Sequence, residues 1–219
     1  MKRPLFKYCG NRNFEDWCHV IGSKADFIGV IFAPSKRRVT PHQVLEWSKK
    51  KPLPIGKKLI GVFVHSPIAE ILEAVNTVPI SIVQCHGHET PGEIFQLKEK
   101  VDLPIWKAIH HEENAIEKMK SYYGIVDGYV VDTKSTTAYG GTGIPFNWSA
   151  IPNYLEEANK QGVPCFIAGG VSPGNVSQLV DYLPDGIDLA SGIEIEEGKS
   201  SELINKLEIE VDRHVNNKS

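Results

Sequence analysis

Short apolar runs alternate along the chain with longer stretches whose apolar residues return at helical spacing. The short runs read as strands and the longer stretches as amphipathic helices. The strand candidates are Pro4–Cys9, Asp26–Phe32, Leu59–Val64, Ile80–Cys85, Ile105–Ile109, Gly128–Val131, Pro164–Ala168 and Gly186–Ala190. The intervals between them are long enough for crossover helices, which implies parallel strands. Thr40-Pro41, Ser66-Pro67, Thr90-Pro91 and Ser172-Pro173 each set a hydroxyl residue before a proline, the pattern of an N-cap followed by the first helical position. Pro79, Pro104 and Pro164 stand at strand entrances, where a missing N–H does little harm. Ser200 to His214 reads as a closing helix with Leu203, Ile204, Leu207 and Val211 on its apolar stripe.

Eight such units in 219 residues fit either a closed barrel or an open doubly wound sheet. The open sheet with a dinucleotide site needs G-x-G-x-x-G after its first strand, and Cys9-Gly10-Asn11-Arg12 is no such turn. The expectation is therefore an α/β fold, a single (β/α)8 TIM barrel over residues 1–219, with its chemistry at the C-terminal strand ends. A net charge of −3 argues against a nucleic-acid footprint, and no apolar run is long enough to span a bilayer. MKRPLFKYCG reaches a Lys and a Cys too early for a secretory signal. Cys9, Cys18, Cys85 and Cys165 lie far apart without a C-x-x-C pair, so a reduced, cytoplasmic setting is expected and a zinc or disulfide framework is not.

The stretch from Val163 to Glu194 ends two successive strands in small residues, Gly169-Gly170 and Ser191-Gly192. Small residues let backbone amides approach a ligand, and barrels often hold phosphate on the loops after strands seven and eight. At the end of the first strand Lys7 and Cys9 share a face. A buried Cys is ordinarily an inert small hydrophobe, the reading that suits Cys18 and Cys165. Cys9 sits at the functional rim and is assigned a role. Arg37, in the Ser35-Lys36-Arg37-Arg38 loop, has the planar fork that suits a carboxylate or phosphate. Gln84 and His86 share a face opposite Cys85 and read as ligand contacts. His86 and His88 form an H-x-H pair, but no further ligand spacing supports a metal; His65, His110 and His111 carry no pattern. Asp132 ends an apolar strand as a candidate acid or base, with a turn-forming Asp as its rival reading. The loop after it, with Gly140, Gly141 and Gly143, is long enough for a lid, and Gly141 is grouped with the phosphate contacts.

K-Y-C-G, S-K-R-R-V, V-Q-C-H-G, V-V-D-T, G-G-T-G, I-A-G-G-V and D-L-A-S-G-I-E occur in order along nearly the whole chain. Together they resemble the phosphoribosylanthranilate isomerase family of tryptophan biosynthesis. Two positions depart from its pattern: Asn11 replaces an aliphatic residue after Cys-Gly, and Cys85 replaces a leucine before His86. The resemblance implies an Amadori rearrangement of a phosphorylated small molecule without metal or organic cofactor, in a monomer or homodimer. It implies Cys9 as general base, Asp132 as general acid, Arg37 on the anthranilate carboxylate and Asp188 as a supporting polar contact. Asp132 then needs a raised pKa and Cys9 a lowered one. The competing readings are a phosphosugar barrel of the indole-glycerol-phosphate synthase type, using Lys7 and Glu194, and a phosphate-binding barrel without catalysis.

Overall fold

The computed structural model describes residues 1–133, 147–196 and 198–218. Eight parallel strands close into one barrel: β1 (Leu5–Cys9), β2 (Phe27–Ile31), β3 (Lys58–Phe63), β4 (Ile82–Cys85), β5 (Ile105–His110), β6 (Gly128–Asp132), β7 (Cys165–Ile167) and β8 (Gly186–Leu189). Each pairs with the next, and β8 returns to β1 with Lys7 opposite Asp188. Around them lie α1 (Phe14–Ile21), α2 (Pro41–Lys50), α3 (Ile68–Thr77), α4 (Pro91–Lys98), α5 (Ala115–Ser121), α6 (Ile151–Gln161), α7 (Val176–Val180) and α8 (Ser201–Asn217). A short antiparallel hairpin, Glu194–Ile195 with Gly198–Lys199, leads from β8 into α8. The barrel and its eight strands match the expectation, with strand ends displaced by no more than two residues.

Two of the four expected helix starts hold. Thr40 and Thr90 each accept a bond from the third helical amide, and the side chains of Gln43 and Glu93 each accept one from the cap N–H, closing capping boxes at α2 and α4. Ser66 does not cap α3, because Pro67 itself takes the cap position and Ser66 lies one residue too far out. Ser172 does not cap α7 either. The chain first makes a turn, with Val176 N–H donating to Ser172 O at 3.0 Å, and the helix begins only at Val176.

Side-chain alternation along parallel strands splits the apolar residues into two cores. The larger lies between sheet and helices and takes Cys85 and Cys165. The smaller fills the barrel axis with Phe27, Ile60, Val62, Ile82, Trp106, Val130 and Phe166, and reaches Cys9 near the mouth. Phe27, Trp106 and Phe166 pack with centroids 4.8–5.5 Å apart. Gly128 and Gly186 make room for them: a Cβ would sit 2.6 Å from the Trp106 ring and 2.1 Å from that of Phe166. These rings fill the barrel axis, and the polar residues at the C-terminal strand ends line a pocket at the mouth.

Candidate active site

One pocket at the C-terminal mouth is lined by Cys9, Arg37, Gln84, His86, Asp132, Gly169, Gly170, Asp188, Ser191 and Gly192. The structure thus brings together every site residue picked from the sequence except Gly141, which lies outside the described residues together with Gly140 and Gly143.

Cys9 ends β1 at the wall of this pocket. Beside it, in register on β2, is Gly29, where a Cβ would lie 2.6 Å from the Cys9 sulfur. Beneath it Lys7 is wholly buried and donates to Asp188 Oδ2 at 2.7 Å, while Asp188 Oδ1 is buried without a described partner. Burial pushes the Cys9 thiol above its ordinary pKa, and the charges of Lys7 and Lys199 only partly offset this. The expected lowering is therefore corrected: the cations are present, but desolvation outweighs them. Asn11 settles into the turn after Gly10. Its Nδ2 donates to Gly29 O at 2.9 Å and Tyr8 O at 3.1 Å, bonds an aliphatic residue cannot make.

Asp132 ends β6. Its Oδ1 accepts from Thr133 N at 2.7 Å, and its Oδ2 faces His86 Nε2 at 3.5 Å. Gln84 Nε2 lies 2.9 Å from His86 Nδ1, which orients the ring toward the carboxylate. Desolvation raises the Asp132 pKa, but the hydrogen bond and charge of His86 and the Thr133 amide together bring it below the usual carboxylate value. This too reverses the expectation, and the cause is a neighbour two strands away. His88, the other half of the H-x-H pair, turns from the pocket: its N–H donates to His65 Nε2 at 3.2 Å and its ring faces His110.

Arg37 is buried and does not stand free. Glu194 accepts from its Nε at 2.9 Å and its Nη2 at 2.7 Å, and Lys199 Nζ reaches the same carboxylate at 2.7 Å. These bonds hold Glu194 below the ordinary carboxylate pKa against the upward push of burial. The aliphatic shaft of Arg37 lies across Gly10, where a Cβ would meet its Cδ at 2.4 Å and where φ is +78°. Arg37 is thereby seated against the turn that follows Cys9.

Gly169 and Gly170 both have positive φ, +83° and +68°, a backbone that L side chains rarely adopt. No described group accepts from their amides. Asn175 fixes this turn, accepting from Ser172 N at 2.8 Å and donating to Gly170 O at 2.9 Å. After the neighbouring strand β8, Gly192 lies so close to the Val171 carbonyl that a Cβ would stand 1.7 Å from its oxygen. The two glycine turns are packed against one another as a single cradle, a form suited to an anion.

Lys199, Asn175 and Asp16 were not picked out as site residues, and Glu194 was named only under the synthase-type alternative. Asp16 ties two loops of the mouth, accepting from Arg12 N at 2.9 Å and Lys199 N at 2.7 Å. Glu194 closes the D-L-A-S-G-I-E motif, so a signal existed, but its partner is 157 residues away.

The N-(5'-phosphoribosyl)anthranilate (PRA) isomerase family model matches residues 6–209. N-(5'-phosphoribosyl)anthranilate isomerase of Geobacillus thermodenitrificans is 48% identical over 208 residues, covering 95% of this chain and 94% of the relative. The solved phosphoribosyl anthranilate isomerase of Thermotoga maritima superposes with a TM-score of 0.83 at 29% identity, over 96% of this chain and 99% of that one. A solved complex of such an isomerase with reduced 1-(o-carboxyphenylamino)-1-deoxyribulose 5-phosphate superposes with a TM-score of 0.79 at 26% identity, over 96% and 99% of the two chains. With the barrel, the mouth and these likenesses in agreement, the chain belongs to the N-(5'-phosphoribosyl)anthranilate isomerase family.

Proposed function

We propose that this chain converts N-(5-phosphoribosyl)anthranilate to 1-(2-carboxyphenylamino)-1-deoxyribulose 5-phosphate, with Cys9 as base and Asp132 as acid. The observation that carries the assignment is the shared pocket: a thiol from β1 and a carboxyl from β6 line it together with Arg37 and the glycine cradle. The cradle of Gly169, Gly170, Ser191 and Gly192 takes the phosphate. Arg37 takes the anthranilate carboxylate, and Gln84, His86 and Asp188 bound the sugar between them.

Asp132 delivers a proton to the furanose ring oxygen. The C1–O bond breaks and the nitrogen lone pair forms an iminium. Cys9 removes the proton from C2; the C–H pair forms the C1=C2 bond and the C=N π pair returns to nitrogen, giving an enolamine. The C2 hydroxyl proton is lost as C1 gains one, leaving the ketone. The substrate nitrogen is the electron sink throughout.

With Cys9 raised and Asp132 lowered, the pair at neutral pH holds one proton, on the thiol. The working form holds the same single proton on the carboxyl. The two are tautomers, and each unit separating the two pKa values costs about 1.4 kcal/mol in populating the working one. The negative charge of a bound phosphate and carboxylate raises both groups, so it narrows that gap only as far as it acts more strongly on Asp132 than on Cys9. The indole-glycerol-phosphate synthase reading loses support because Lys7 is spent on Asp188, and Glu194 on Arg37 and Lys199.

The test is turnover of N-(5-phosphoribosyl)anthranilate, followed by loss of its fluorescence, in wild type, Cys9→Ala and Asp132→Asn. Each variant is expected to lose turnover while still binding the reduced product analogue. Near-full activity of Cys9→Ala would remove the base from the account.

A further inference from the structure

Arg37 carries five N–H groups in a plane, and the structure engages two of them. Its Nε and one Nη2 proton lie on Glu194, and the guanidinium donates to no other described group. The edge formed by Nη1 and the second Nη2 proton is thus left over, on a residue that lines the pocket. Glu194 is in turn gripped from behind. Lys199 Nζ, wholly buried, donates to Glu194 Oε1 at 2.7 Å and to Ala190 O at 3.0 Å, so the carboxylate is held between two cations and is not free to swing away.

We infer that Glu194 is a positioning residue for carboxylate recognition: it docks one edge of Arg37 and presents the other, end-on, to the substrate carboxylate. This rests on Arg37 taking that carboxylate, as proposed above. The opposite arrangement, a latch in which Glu194 competes with the ligand for Arg37, would need a carboxylate able to leave. Lys199 and a side-chain exposure of 8% oppose that. A guanidinium is planar, so fixing two of its nitrogens fixes the direction of the remaining donors. Recognition of the carboxylate then requires little reordering on binding.

The experiment is calorimetric binding of two probes, 1-(2-carboxyphenylamino)-1-deoxyribitol 5-phosphate and its phenylamino counterpart without the carboxylate. The proteins are wild type, Glu194→Gln, Arg37→Ala and the double variant. Wild type is expected to prefer the carboxylated probe. Glu194→Gln is expected to weaken that probe about tenfold, the effect of one misdirected charge-assisted bond. It leaves the other probe unchanged, adds no loss in the Arg37→Ala background, and raises KM for the carboxylated substrate. Tighter binding by Glu194→Gln would establish the latch instead, and equal loss for both probes would reduce Glu194 to a structural residue. A wild type blind to the carboxylate would overturn the role of Arg37 itself, which is read separately from the effect of Glu194. Should Glu194→Gln fold poorly with two cations uncompensated, Glu194→Gln with Lys199→Met restores the charge balance and must show the same selective loss.

Discussion

Gly29→Ala tests the active site through packing alone, without touching a polar group. Gly29 stands in register with Cys9 across the β1–β2 pair, and its Cβ would lie 2.6 Å from the Cys9 sulfur, 2.9 Å from Cα and 3.0 Å from Cβ. Ordinary contact begins near 3.4 Å, so sulfur and methyl must part by most of an ångström. The backbone of Gly29 is compatible with alanine, since its φ is not in the left-handed region. The cost is therefore steric, about 1–3 kcal/mol for overpacking a closed interior, or roughly 2–12 °C in Tm for a domain of this size. Displacing a catalytic group by about 1 Å costs on the order of 100-fold in rate. Gly61→Ala is the control. It lies on the next strand but faces the outer core, where a Cβ would meet the ends of the Phe63, Ile80 and Phe32 side chains at 2.9–3.2 Å. Turnover and thermal melting of both variants decide the matter. Gly29→Ala is expected to lose about 100-fold in kcat, and Gly61→Ala to lose stability only. If Gly29→Ala keeps its kcat while melting lower, the coupling of packing to the Cys9 sulfur is refuted, and the base assignment then rests on Cys9→Ala alone.

Asp188→Asn leaves the buried Lys7 cation with no carboxylate, so it is expected to destabilise by about 3–5 kcal/mol in urea titration, more than a paired Lys7→Met, Asp188→Leu replacement does. Asn11→Leu removes the two bonds from Nδ2, at a cost of about 1–2 kcal/mol. Its kcat should change little, because Asn11 does not line the pocket. The pH profile of kcat/KM is expected to be a plateau through neutrality. Its acid limb falls below the ordinary carboxylate pKa, as Asp132 takes a second proton onto the pair, and its alkaline limb falls above the ordinary thiol pKa, as Cys9 loses the only one. A narrow optimum near pH 7 would contradict it. His110, lowered to about 4 by burial and by the nearby His86, adds a stability term of known sign. The unfolded chain takes a proton near its ordinary pKa of about 6.5, the folded one only near 4, so stability falls as pH drops between them and should fall less in His110→Asn.

The strands were legible because their apolar runs are short, bounded by proline or glycine, and repeated at crossover spacing. Cys9, Gln84, His86 and Asp132 were legible because alternation marks which residues of a strand exit share a face. Helix starts were less secure. The hydroxyl-proline pattern is local, yet at Ser172 the backbone N–H goes to Asn175 Oδ1, and the Asn175 N–H that a cap hydroxyl would accept goes to the Ser172 carbonyl instead. The protonation states were not legible at all. Desolvation of Cys9 depends on the whole mouth closing around it, and the lowering of Asp132 depends on a histidine delivered by β4. Arg37 was picked out as a carboxylate binder, but nothing within 100 residues of it announces that a carboxylate of the protein's own would hold it first.

The charges behind the mouth are unequal, and the inequality bears on how a raised thiol pKa can serve a base. Lys7, Arg37 and Lys199 are buried cations; Asp188 and Glu194 are the carboxylates that pair them, which leaves one positive charge in excess on the Cys9 side of a pocket whose other carboxylate is Asp132. All three cations feel Cys9, each being favoured in its charged form by a thiolate there. A buried group with one uncompensated positive charge is costly and draws in an anion. That anion can be a ligand carboxylate on the free edge of Arg37 or a thiolate on Cys9, and filling the first weakens the pull on the second. The network therefore links carboxylate binding to the protonation of the base. On this argument Lys199→Met, which leaves one cation fewer, should move the alkaline limb of kcat/KM upward, while a limb that stays in place would show that Cys9 does not share in this charge balance.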